Sequence, residues 1–246
     1  MINMQSFLNA TRLILGSLAV FIGLCSSAHS QTSASICGDL ANGFGPFDYR
    51  KYAGTAEWNR HQTNDQNNPL YLVHSAHFRP EMEALSHGGQ GPKSDVGPEL
   101  DYTLRAFPNH HRALDAMVRL SERLKMDAPR GARYNVECWF DRALRFQPDD
   151  PIVRMIFTNF LIKKNRKPEA MQQLETVLKL AKDNAFTHHN VGLLYFDLGE
   201  HQLALTQAHK SIELGLNRPN LREKLQSIGQ WTEPTPAQAE SDPAKP

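Results

Sequence analysis

Cysteine is scarce in this chain, with three in 246 residues at positions 25, 37 and 138. None of them forms a C-x-x-C pair, which argues against a structural zinc site, since such a site needs four ligands. An excess of charge of one sign is also missing: 27 Lys and Arg stand against 26 Asp and Glu. That balance excludes the basic footprint expected of a protein that binds nucleic acid or an anionic membrane electrostatically. Long apolar runs are missing too. The longest, Leu13 to Leu24, is too short to span a bilayer. The sequence carries no G-x-S-x-G, no phosphate-binding glycine loop, no His-Glu-x-x-His and no catalytic-cysteine context. The expectation is a protein with no enzyme activity and no cofactor.

The apolar run is preceded by Arg12 and followed by small residues, with Ala28 and Ser30 forming an A-x-S cleavage pattern. This reads as a secretory signal over residues 1–30, leaving Gln31 as the mature N-terminus. Acylation at Cys25 is the alternative, disfavoured by Leu24 where a small residue belongs. An exported chain would reach the periplasm or the extracellular space, where disulfides persist. Cys37 and Cys138 then form an even pair that favours a bridge; two thiols that merely fill space are the other reading. On its helix Cys138 shares a face with Asp141, Arg142 and Arg145, three, four and seven residues on. That face is otherwise charged, so the cysteine should meet another segment, and Cys37 is the available partner.

The second half contains a repeat. "PIVRMIFTNFLIKKNRKPEAMQQLETVLKLAKDN" (151–184) aligns without a gap on "AFTHHNVGLLYFDLGEHQLALTQAHKSIELGLNR" (185–218). Phe157 falls over Val191, Leu161 over Tyr195, Asn165 over Gly199, Ala170 over Ala204, Leu174 over Ala208 and Leu178 over Ile212. Apolar and small positions coincide while the charges between them vary, as expected of stacked units sharing a core. Each copy reads as two helices, separated in the second copy by "DLGE", where Gly199 can take the left-handed conformation that ends a helix. A degenerate earlier copy ends in "VECWFDRALRFQPDDP", with "HHRALDAMVRLSERL" as its first helix, and "RPNLREKLQSIG" has the character of a closing helix.

Period, turn and the small residues Gly192 and Ala204 together make residues 109–229 resemble the tetratricopeptide repeat (TPR) family, here in an exported bacterial member. The resemblance implies an all-α, helical-hairpin solenoid over residues 107–230, and a partner-binding concave face lined by the first helix of each repeat. It places Ile152, Met155 and Asn159, then Phe186, His189, Asn190, Leu193 and Phe196, and finally Lys224, on that face. Asn159, Asn190 and Lys224 match three of five positions with which some TPR proteins grip a terminal carboxylate; Met155 and Asn220 depart from that pattern. The implied partner is a protein or peptide, in envelope assembly or secretion.

Residues 31–106 lack the period. They read as an irregular arm packed on the repeats, with a short helix in "HFRPEMEALSHGG" starting at Pro80 and ending at Gly88 or Gly89, and a short extended segment in "ELDYTLRAF". Residues 231–246, poor in apolar side chains after Trp231, read as a disordered tail. Six of eleven histidines lie between 61 and 111 (His61, His74, His77, His87, His110 and His111). A second reading of function follows from them: a metal- or haem-handling protein using His74, His77, His110 and His111. Against it, Asn109 after Pro108 makes a good helix N-cap, and His111 can simply pair with Asp115 one turn later.

Overall fold

The computed structural model describes residues 36–53, 67–86 and 96–234. Among the described residues all regular structure is helical. A single 3₁₀ turn at Tyr49–Lys51 is followed by α1 (Pro69–Ala76), α2 (Pro80–Glu83), α3 (Val96–Ala106), α4 (His111–Leu124) and α5 (Val136–Phe146). Then come α6 (Pro151–Lys163), α7 (Lys167–Ala181), α8 (Ala185–Asp197), α9 (His201–Glu213) and α10 (Pro219–Ser227). The molecule is a helical-hairpin solenoid with an irregular N-terminal arm packed on it. The proposed signal segment, with Cys25, lies outside the described residues, as do His61, His87, Gly88, Gly89 and the tail from 235 onward.

Local chemistry repeats with the period. Asp150 and Asn184 are 34 residues apart and both cap a first helix: Asp150 accepts from the Ile152 and Val153 amides, and Asn184 from the Thr187 amide. Asn165 and Gly199, at the matching turns, both have left-handed backbone, with φ of 57° and 77°. Asparagine and glycine are the residues that tolerate that conformation at least cost. Within each hairpin α6 packs on α7 and α8 on α9; between hairpins the first helices stack in series, α4 on α6, α6 on α8, α8 on α10. Gly192 lies at a close approach within the stack. A β-carbon there would sit 2.4 Å from a Leu221 methyl and 3.3 Å from the Ala204 carbonyl oxygen, which explains a glycine in the middle of a helix that would otherwise disfavour it.

Two apolar cores follow from this stacking. One joins Phe78, Met82 and Leu85 of the arm to Leu100 and Leu104 of α3, Leu114 and Met117 of α4, Trp139 and Phe140 of α5, and Phe160 and Leu161 of α6. The other joins Leu174 and Val177 to Val191, Tyr195, Ala204 and Ala208, and is closed by Leu221 and Leu225 of α10. A smaller cluster of Tyr49, Leu70, Val73 and Phe107 seats the start of the arm.

Two expectations for the arm are corrected. "ELDYTLRAF" is helical, not extended: Val96, Leu100 and Leu104 recur every fourth residue and all are buried. That period outweighs the brief alternation in the quoted stretch. The helix at Pro80 stops after four residues, because Leu85 turns left-handed at φ 56°. Past α10 the chain stays in contact: the Trp231 ring lies 5.3 Å from that of His209, and the Arg222 guanidinium sits over it.

Candidate functional site

Two places gather polar and aromatic side chains: the exposed face of the stacked first helices, and the junction between arm and stack.

On the first-helix face, Ile152 and Phe186 are large apolar side chains left 42% and 53% exposed. Asn190 is exposed; Met155, Asn159, Leu193 and Phe196 are half-buried. Both aromatic rings carry a cation. The Arg218 guanidinium lies 5.1 Å from the Phe186 centroid, and the Lys224 ammonium 4.8 Å from that of Phe196. Lys224 also pairs with Asp197 at 3.1 Å. His189 does not join this face. It is buried at 3% exposure, bonded to the Asn220 side chain, and its pKa is lowered by burial. His188 is buried as well, held by Gln207 at 2.7 Å and the Lys182 carbonyl at 2.8 Å. Arg218 was not among the residues expected on this face: it comes from the segment before α10 and carries no helical-face signal.

At the junction the four histidines disperse. His77 stacks on Tyr102 and meets Glu99 at 2.7 Å, while His111 meets Asp150 at 2.9 Å. Only His74 and His110 touch each other, Nε2 to Nε2 at 2.8 Å. His110, not Asn109, is the N-cap of α4: its Nδ1 accepts the Ala113 amide. A neutral His110 therefore carries its proton on Nε2 and donates it to His74 Nε2, which leaves the His74 proton on Nδ1. Burial holds His110 well below its ordinary pKa and, with the Arg112 charge, takes His74 down to about 4. Each neutral ring has spent a nitrogen on the other. Among the described residues no group of three or more His, Cys, Asp or Glu could hold a metal ion.

Asn109, expected as the cap, is instead fully buried and ties three segments together. It accepts the Tyr49 amide at 2.9 Å and donates to Asp48 at 2.8 Å and Asp150 at 3.0 Å. His111 pairs across the fold with Asp150 and not with Asp115, which Arg119 takes. Burial pushes the Asp150 carboxyl up, but bonds from His111, Asn109 and the Val153 amide outweigh it and the net shift is down. The Tyr49 ring stacks on His110 at 4.1 Å. This network is a buried fastening for the arm.

Comparison with known proteins finds relatives of part of the chain. Over 134 residues it is 30% identical to DnaJ homolog subfamily C member 3 of Mus musculus. The proteins of the same name from Rattus norvegicus and Homo sapiens are 25% and 22% identical over the same length. In each case the match takes in 51% of this chain and 27% of the relative, so the chain spans about a quarter of the length of the curated relatives it matches. No protein-family model matches the chain. No solved structure matches it.

The disulfide completes the junction. Cys37 and Cys138 are bonded, with Cα atoms 4.9 Å apart. Arg142, one turn beyond Cys138, is 1% exposed and donates to the carbonyls of Cys37 and Asp39 from beside the Tyr134 and Trp139 rings. A fully buried arginine without a carboxylate partner was not legible from the sequence, which marked Arg142 only as part of a charged face.

Proposed function

We propose that the chain is an exported, tetratricopeptide-type scaffold that binds a protein or peptide segment along the face of its first helices, in the assembly or secretion of envelope components. The observation that carries this reading is the line of Ile152, Phe186 and Phe196 on α6 and α8, left partly open to solvent with Asn159 and Asn190 between them. Rigid helices holding such side chains lower the ordering cost of binding. Phe186 and Phe196 serve as anchors, Asn159 and Asn190 bond the backbone of the bound segment, and Met155 and Leu193 complete the apolar floor. The similarity to the DnaJ homolog subfamily C member 3 proteins supports a helical-repeat interaction role. The Cys37–Cys138 bridge is compatible with a periplasmic or secreted location, and no helix among the described residues is long and apolar enough to cross a membrane.

The test is selection of binders from a displayed library of short peptides, followed by affinity measurement on variants. Wild type is expected to select apolar or amphipathic segments. Phe186→Ala and Phe196→Ala should each weaken binding about tenfold or more, and Asn159→Ala by less, with melting temperatures within a few degrees of wild type. Full retention of binding by all three folded variants would move the docking surface elsewhere, first of all to the arm.

A further inference from the structure

The bridge between Cys37 and Cys138 borders an open cavity of about 1050 Å³ whose apolar wall includes Tyr134, Leu144 and Phe157. Cys138 is 9% exposed, whereas Cys37 is half-buried on the arm. The two residues therefore differ in exposure, and Cys37 is the more open to an approaching thiolate.

They also differ as leaving groups. Cys138 lies in the first turn of α5, the third helical residue after the Asn135 cap, and its own amide donates to that cap. A helix N-terminus and nearby cations both favour a thiolate over a thiol. Arg142 follows one turn later and Arg145 two turns later on the same face. Six charged groups line the cavity: Arg133, Arg145 and Arg166, and Glu137, Asp141 and Glu169. The acids are engaged: Glu137 and Glu169 with Arg166, and Asp141 with Arg145 at 2.7 Å. Arg142 donates to backbone carbonyls and not to a carboxylate, with Asp101 acting on it only through space, so part of its positive charge is felt one turn back at Cys138.

From this asymmetry we infer that the Cys37–Cys138 bridge is a thiol–disulfide exchange site, opened through the cavity by a protein dithiol. The partner's thiolate attacks the Cys37 sulfur. The sulfur–sulfur bond breaks, its electron pair leaves on Cys138, and a mixed disulfide forms between the partner and Cys37. The partner's second thiolate then displaces Cys37. The partner leaves oxidised to its own disulfide, and the chain keeps two reduced cysteines, Cys37 taking up a proton. A leaving thiol of low pKa speeds the first step. Opening leaves the arginine bonds in place on the arm's first described residues: Arg142 on the Cys37 and Asp39 carbonyls, and Arg145 on that of Gly38 at 2.9 Å. The interaction does not depend on the peptide-binding face.

Dithiothreitol serves as the dithiol probe on the folded mature chain, with alkylation and mass mapping as the readout. Reduction should be first order in the probe, at a rate that does not change with urea kept below the unfolding transition. A rate that rises with urea in step with unfolding would mean the bridge is sealed, and the proposal fails. Glutathione, a single thiol, should leave its adduct on Cys37; an adduct on Cys138 overturns the assigned direction. In fully reduced wild-type protein, the alkylation rate of Cys138 against pH should show a midpoint at least one unit below the ordinary thiol value of about 8.5. A midpoint at or above that value removes the leaving-group argument.

Discussion

Asp150 does several jobs with one carboxylate: it caps α6, accepts from Asn109 and pairs with His111, while being fully buried. Asp150→Ala removes the cap and strands two buried partners. The expected cost is about 3 kcal/mol, read as a lower midpoint in urea unfolding; a cost under 1 kcal/mol would mean the network is dispensable. The histidine pair makes a separate forecast. The folded-state pKa of His74 is about 4, and burial holds that of His110 well below its ordinary value, against about 6.5 for an unfolded histidine. The unfolded chain thus binds more protons as pH falls through 6.5. Stability is complete above that value and declines as pH falls, His74 alone contributing on the order of 3 kcal/mol by pH 4 and His110 adding to it. Asp48 and Asp150 have lowered pKa values, so their contribution is kept through this window and lost only below about 3.8. Urea unfolding at pH 7, 5.5 and 4.5 tests the decline, which His74→Phe should reduce; a flat profile in wild type contradicts it. The sequence singled out His110 and His111 as unusual. It could not show that each answers to a residue tens of positions away, because that pairing exists only once the arm has folded back.

At the level of helices, much was legible. The period of the second half places α6 through α10, because each copy must bury the same positions against its neighbour. Gly192 stood out as a small residue of the family pattern, and Leu221 and Ala204 are what it approaches. Gly192→Leu should lower stability by on the order of 1–3 kcal/mol or more through overpacking; an unchanged melting temperature would contradict the contact. Asn165 offers a finer check. Its left-handed backbone should make Asn165→Gly nearly neutral and Asn165→Val costly by about 1–2 kcal/mol, measured by thermal unfolding. The arm was harder to read. Its helices are short, and α2 and α3 are defined by what they meet, Met82 and Leu100 entering the same core as Trp139. Short elements carry too few turns for their period to be decided without the partner surface.

For the molecule as a whole, the two apolar cores meet near Leu198, which packs against both. The C-terminal core is closed by α10 alone, through Leu221 and Leu225. Stopping the chain at residue 217 should therefore strip protection from the α8–α9 hairpin while leaving α3 to α6 largely intact, as nearest-neighbour stability in a solenoid implies. Hydrogen exchange with mass detection would resolve the two regions. Uniform loss across both would mean that the stack unfolds as one unit.

The bridge closes a loop with its two cysteines 101 positions apart, and lies wholly on the N-terminal side of α6. In the chain-entropy picture this stabilises the folded state by about 4–5 kcal/mol. It has a mechanical side as well. When the protein is stretched between its ends, force passes from Cys37 straight to Cys138, and the chain between them is shielded from load. With the bond closed, the helices that can pay out length are the remainder of α5 after Cys138 and those from α6 onward. Opening it adds a hidden reserve of roughly 350 Å of extensible chain, so the redox state of one pair sets how far the molecule can be drawn out.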